Sequence, residues 1–193
     1  MEITLDQLLQ ARDDRYAKQV ALTQAWPDRT LVCLTIVLPG PVKRDARSLT
    51  VASAALPAIR EALKPTYEEL RDLPTGYEAY FLVDAPLLEV KRICCSIENT
   101  HPFGRLMDLD VLEPVTDPLG APASTPAPGA APSAVASAAP VAVIPVSRDR
   151  VGEQPRRCLL CDRPARECMR AHTHSYDEIL AAIDQILDLG EKS

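Results

Sequence analysis

Apolar residues recur along this chain in two periods, and the period of two marks its strands. Arg29 to Leu38 (RTLVCLTIVL) is an apolar run rich in β-branched residues and stopped by Pro39-Gly40-Pro41, which predicts a buried strand followed by a rigid turn. Tyr77 to Val83 predicts a second strand. From Leu106 to Leu112 (LMDLDVL) apolar and acidic positions alternate, so a third strand carries Asp108 and Asp110 on one face. The helical period covers most of the rest. Leu49, Ala52, Leu56, Ile59 and Leu63 share a face, and Pro57 within it predicts a kink or a break into two helices, since an interior proline removes a hydrogen bond and clashes with the preceding turn. Pro65 and Pro74 bracket a short polar segment, and Asp84 is positioned to cap a third helix that reaches roughly Glu98. The last helix starts at a Ser175-x-x-Glu178 capping box, presents Ile179, Leu180, Ile183, Ile186 and Leu187 on one face, and ends at Gly190.

The first helix departs from a simple apolar stripe. A capping box at Thr4-x-x-Gln7 starts it, and it should run to about Ala25. Leu5, Leu8, Arg12, Arg15 and Gln19 follow a 3-4-3-4 spacing, so polar residues continue the line the leucines begin. Two readings are open: the helix end overhangs the core and its arginines pair with surface acids, or Arg12 and Arg15 point into a cleft and hold phosphate.

At 193 residues with 47% hydrophobic and 25% charged positions, the chain can bury one sizeable core and one small appendix. Its net charge of −6 argues against non-specific adhesion to nucleic acid or anionic membrane, but a polyphosphate needs only a few convergent cations. No run has the apolar character of a bilayer span. The N-terminus carries acids from its second residue, unlike a signal peptide, so the expected location is cytoplasmic. From 118 to 147 no residue is charged, and eight of the 18 prolines lie between 114 and 145; such a stretch cannot offset its ordering entropy by burial. The expected organisation is therefore a core at 1–114, a flexible Ala/Pro-rich insertion at 115–147 with an edge strand near 141–146, and a C-terminal Cys/His segment and amphipathic helix at 148–193. The fold class is α/β (α+β): a small mixed sheet of four or five strands with helices packed on it.

Two constellations could carry chemistry. Carboxylates two apart on a strand lie about 7 Å apart along the chain and point the same way, so Asp108 and Asp110 could share divalent metal ions in phosphoryl or nucleotidyl transfer; the bland reading is a solvated pair on an edge strand. Just before them, Gly104 would let backbone approach a phosphate and Arg105 could take its charge, or the two are a helix-ending glycine and a surface cation. His101, before a proline, is a base, a phosphate donor or a turn residue. The second constellation is Cys158-x2-Cys161-x6-Cys168-x5-His174, with His172 as rival fourth ligand; three sulfurs and an imidazole complete a closed structural Zn2+ site, against the alternative of three reduced thiols. Cys33, Cys94 and Cys95 lie on apolar elements and read as core thiols.

In order along the chain, LLQARDDRYAKQ, TIVLPGPVK, ENTHPFGRLMDLDVLEP and PRRCLLCDRPARECMRAHTH closely resemble the citrate lyase holo-acyl-carrier-protein synthases, the apo-citrate lyase phosphoribosyl-dephospho-CoA transferases. The resemblance spans nearly the whole chain except the Ala/Pro stretch. It implies a nucleotidyltransferase-like fold and an enzyme that transfers the phosphoribosyl-dephospho-CoA group from 2'-(5-triphosphoribosyl)-3'-dephospho-CoA to a serine of the citrate lyase acyl carrier protein (gamma subunit), with release of pyrophosphate. It further implies Mg2+ on Asp108 and Asp110, phosphate near Gly104 and Arg105, and further phosphate contacts from Arg12, Arg15 and Lys43. Glu98 is a candidate for a third metal ligand or base. Because carrier proteins are usually acidic, a local basic rim is expected from Arg156, Arg157, Arg163, Arg166 and Arg170. Alternatives are the same chemistry on the malonate decarboxylase carrier protein, and a non-catalytic zinc-stapled module that binds a partner protein.

Overall fold

The computed structural model describes residues 2–115 and 142–190. Most of the Ala/Pro-rich insertion expected from the sequence therefore lies outside the described residues. Five strands, β1 (Thr30–Ile36), β2 (Tyr67–Leu73), β3 (Gly76–Val83), β4 (Met107–Val115) and β5 (Ala142–Pro145), form one sheet in the order β2-β3-β1-β4-β5. Where the sequence predicts a mixed sheet, every pairing is antiparallel. The edge strand expected near 141–146 is β5, whose Pro145 is tolerated because only one side of an edge strand needs donors.

The period of two divides the sheet into unlike faces. Val32, Leu34, Ala79, Phe81, Leu109 and Val111 are buried against the helices α2 (Ala46–Leu63), α3 (Leu87–Thr100) and α5 (Tyr176–Gly190), and form the main core with Val51, Ile59, Val90, Cys94, Ile183 and Leu187. The other face is crossed by α1 (Leu5–Ala25), whose Leu22 packs on Leu31, Leu82, Leu112 and Val143. The capping boxes read from the sequence hold α1 and α5: the Thr4 hydroxyl and the Gln7 side chain bond each other's backbone N–H, and Ser175 and Glu178 do the same.

Several boundaries differ from the sequence expectation for physical reasons. α2 runs unbroken through Pro57, which is exposed like Ser53 one turn before it, so the carbonyl that loses its partner faces water. α3 starts at Leu87 with Pro86 at its N-cap; Asp84 pairs instead with Arg29 at 2.5 Å. The polar segment between Pro65 and Pro74 is β2, in which Glu68 bonds Arg60 and Asp72 bonds Arg44 from neighbouring elements, so its charges are matched at the surface. A further short helix, α4 (Ala165–Ala171), lies within the cysteine segment. Among the described residues, no helix is long and apolar enough to cross a membrane.

β4 meets β5 only from Leu112 onward, which leaves the edge of its first half open. Two buried side chains of α3 close it. Glu98 accepts a hydrogen bond from the Leu109 N–H at 2.8 Å, and the Lys91 ammonium donates to the Leu109 carbonyl at 3.4 Å.

Candidate active site

On the α1 side, the strand register lines residues up in rows across the sheet. Tyr67, Leu82, Leu31 and Leu112 make an apolar row under Leu22; Glu69, Tyr80, Cys33 and Asp110 make the next; Arg71, Glu78, Thr35 and Asp108 make the third. The face thus passes from apolar to charged within two residues of each strand. α1 follows the same gradient in reverse chain order. Leu22 sits on the apolar row, Gln19 bonds Cys33 in the second, and Arg15 faces Glu78 in the third at 3.6 Å. Of the polar residues that continue its leucine stripe, Arg15 and Gln19 therefore point at the sheet, while Arg12 is exposed.

At the β4 end of these rows the charges are Asp108 and Asp110. Asp108 pairs with Arg156 at 3.2 Å, and the same guanidinium donates to the Gly104 carbonyl at 3.2 Å and to the Met107 carbonyl. Burial, reinforced by repulsion from Asp108, pushes Asp110 up to about 6 from the ordinary 3.8, partly opposed by Lys91 and Arg15. Two neighbouring carboxylates, with only oxygen donors, suit a hard divalent cation, which would relieve the repulsion that Asp108 exerts on Asp110. Glu78, on the other side of Thr35, is buried and fully engaged by Arg71 at 2.9 Å, the Tyr80 hydroxyl at 2.9 Å and Arg15.

The other sequence candidates are distributed around this end. Gly104 opens a 3-10 turn (Gly104–Leu106) between α3 and β4; a Cβ on it would come within 2.5 Å of the Glu98 carbonyl, so the residue is needed there for close packing on α3. Arg105 donates to the carbonyls of Arg157 (3.2 Å) and Cys158 (2.6 Å), tying the turn to the cysteine segment. His101 ends α3: its Nδ1 accepts from the Phe103 N–H at 3.0 Å and its ring is also bonded to the Ala54 backbone on α2, so it belongs to the turn on the apolar side of the sheet. Lys43 lies in the loop after β1, donates to the Leu38 carbonyl at 2.5 Å, and is held below the ordinary lysine range by burial. Glu98 is occupied by the Leu109 N–H and by Arg148 at 2.5 Å. A groove of about 330 Å³ opens between α1 and the β2–β3 turn, with Gln7, Gln10, Asp14, Arg71 and Glu78 among its walls; it adjoins the charged rows without including the aspartates.

The cysteine segment folds back beside Asp108. An isolated bridge between Arg157 and Pro164, with Cys158 N–H to Arg163 carbonyl at 2.8 Å, closes a tight loop that presents Cys158 and Cys161. α4 supplies Cys168, and His174 follows just before α5. The ligand atoms of these four residues lie within 4.8 Å of one another and could hold a metal ion. The backbone N–H of Arg163 and the side chain of His174 lower the Cys161 thiol to about 6. His172 is instead the left-handed C-cap of α4. Cys33, Cys94 and Cys95 are buried, and burial raises all three thiols.

Three charged residues of this site escape a motif reading. Glu78 is the lone acid in an otherwise apolar strand and Lys91 the lone buried cation of α3, signals available in the sequence. The Arg156–Asp108 pair joins residues 48 apart and has no local signal.

Comparison with known proteins gives a consistent result. Residues 3–120 and 140–189 match the family described as apo-citrate lyase phosphoribosyl-dephospho-CoA transferase. The chain is 34% identical over 189 residues, 96% of its length and 85% of the relative's, to a probable apo-citrate lyase phosphoribosyl-dephospho-CoA transferase of Streptococcus pyogenes serotype M3. It is 32% identical to a protein of the same description from Vibrio cholerae serotype O1 (96% and 92% covered) and 28% identical to the apo-citrate lyase phosphoribosyl-dephospho-CoA transferase of Citrobacter koseri (99% and 92% covered).

Proposed function

This chain belongs to the apo-citrate lyase phosphoribosyl-dephospho-CoA transferase family, and on that premise we propose that the face bearing Asp108 and Asp110 is where its prosthetic group is transferred. The protein is an enzyme of that activity, which sets aside the reading as a non-catalytic binding module. The donor is 2'-(5-triphosphoribosyl)-3'-dephospho-CoA and the acceptor a serine of the citrate lyase acyl carrier protein. The observation that carries the site assignment is the half-buried carboxylate pair on one strand face, with Asp110 pushed up to about 6.

Asp108 and Asp110 would hold Mg2+, whose contribution when bound is to neutralise the triphosphate and the departing pyrophosphate. The chain's own residues orient and balance charge. Arg156 beside Asp108 and Arg15 over Glu78 in the same row are cations available for phosphate oxygens, with Lys91 buried behind the strand edge. Arg105 and Arg12 stand further out as candidate contacts, and the groove bounded by Arg71 and Glu78 offers room for part of the long donor. The serine oxygen attacks the α-phosphorus in line. The bond from that phosphorus to the oxygen bridging to the β-phosphate breaks, pyrophosphate leaves with the electron pair, and the hydroxyl proton is released to water. Arg157, Arg163, Arg166 and Arg170 are exposed on the cysteine segment and form a basic rim suited to an acidic carrier.

Intact mass spectrometry of the apo carrier incubated with enzyme, Mg2+ and the triphosphoribosyl precursor tests this directly. The expected mass gain is that of the precursor less pyrophosphate, on a serine. No gain on the citrate lyase carrier, with gain on the malonate decarboxylase carrier, would overturn the acceptor assignment.

A further inference from the structure

We propose that Cys158, Cys161, Cys168 and His174 form a closed structural zinc site whose role is to staple the Arg156 loop against Asp108. The spacing of the ligand atoms supports this. In a tetrahedral site with Zn–S of about 2.3 Å and Zn–N of about 2.0–2.1 Å, two sulfurs stand about 3.8 Å apart and a sulfur and nitrogen about 3.6 Å apart. Here Cys161 Sγ and Cys168 Sγ are 3.5 Å apart, and His174 Nε2 is 3.4 Å from Cys161 Sγ. A disulfide between two of the three sulfurs would strand the third beside an imidazole, whereas four borderline-soft donors around one point are the donor set of structural zinc.

The segment also has little apolar core of its own to hold its shape. Of residues 147–175 only Cys168 is buried among the apolar side chains, while Leu160 and Met169 are exposed. A loop and a seven-residue helix with so little core need a staple, and metal binding supplies folding free energy outright.

What the staple holds is the catalytic edge. Cys158 directly follows Arg156 and Arg157. Arg156 bonds Asp108 and the carbonyls of Gly104 and Met107, and Arg105 returns two bonds to the carbonyls of Arg157 and Cys158. On the far side His174 precedes α5, which is anchored to α2 by Arg47 and Asp184 at 2.5 Å. Zinc therefore fixes the distance between the helix layer and the arginine that faces the carboxylate pair.

The metal assignment is tested on full-length protein purified without chelator. Elemental analysis should find about one zinc per chain, lost in Cys161→Ser and in His174→Ala and retained in His172→Ala. Should the first two variants not fold, replacement of zinc by Co2+ in the wild type keeps the test decisive: thiolate-to-cobalt charge transfer and tetrahedral d–d bands are expected. Folded wild-type protein without zinc and without those bands, or zinc lost from His172→Ala as from His174→Ala, would overturn the site. The positioning role rests on the proposed transfer site and has its own readout. Removing zinc should lower kcat about tenfold or more in the wild type and cause no further loss in Arg156→Ala; an equal loss in both backgrounds would overturn that role while the elemental result stands apart from it.

Discussion

The same strands present two faces that differ at every second residue. Toward α2, α3 and α5 they offer Val32, Leu34, Phe81, Leu109 and Val111; toward α1 they offer Cys33, Thr35, Glu78, Asp108 and Asp110. One face is close-packed hydrocarbon. The other carries like charges near one another, an arrangement that costs stability and is held in place by the first. The difference teaches that rigidity and reactivity are drawn here from alternate positions of one backbone, so their contributions separate cleanly by mutation.

The largest expected effect lies on the apolar face. Phe81→Ala should cost about 3–5 kcal/mol in denaturant unfolding, since it leaves a cavity at the centre of the sheet. Opposite it, Asp108→Asn and Asp110→Asn should each lower transfer at least about 100-fold, with no loss in thermal stability. If either aspartate variant unfolds as Phe81→Ala does, the separation of the two faces is wrong. Arg156→Ala should lower transfer about tenfold, measured as kcat with the melting temperature as control.

A subtler comparison concerns pH. With no Mg2+ present, Asp110 is protonated in the folded state up to about 6 while it ionises in the unfolded chain near its ordinary value of 3.8. Its contribution to stability is therefore full below the ordinary value, declines as pH rises toward about 6, and stays low above it. Asp110→Asn removes this decline, so at pH 7 the metal-free variant should exceed the wild type by up to about 3 kcal/mol and the difference should vanish near pH 4. Smallest of all, reversing Arg163, Arg166 and Arg170 to glutamate should raise the KM for the carrier about threefold at low salt and less at high salt.

Much of the carboxylate site was legible because it is local. Alternation in LMDLDVL specifies strand and face together, and the 3-4 spacing in the first helix points Arg15 and Gln19 inward. β2 was illegible for the converse reason: YEELRDL is charged because its partners, Arg44, Arg60 and Lys18, come from other elements. Gly104 and Arg105 stand beside the acids in the sequence, but their packing partners carry no local signal. The glycine makes room for a carbonyl of α3, and the arginine reaches the cysteine loop, while Arg156 from that loop takes the position beside Asp108. Only strand register and the return of the chain reveal such exchanges. For the cysteines, spacing puts His174 in the ligand set with His172 as a rival, and the geometry around Cys161 distinguishes them.

β5 and the residues after it reach the sheet from beyond position 141, yet they complete both the edge of β4 and the charge balance of Asp108. Among the described residues they are joined to the rest by the β4–β5 ladder, by α5 in the main core, and by polar contacts such as Arg148 on Glu98, Arg150 on Glu113, Arg156 on Asp108 and Arg47 on Asp184. The described residues thus fall into two sequence segments, with the acids in one and their arginine in the other. Cut within 116–141, the halves should reassemble by complementation, and each alone should be inert.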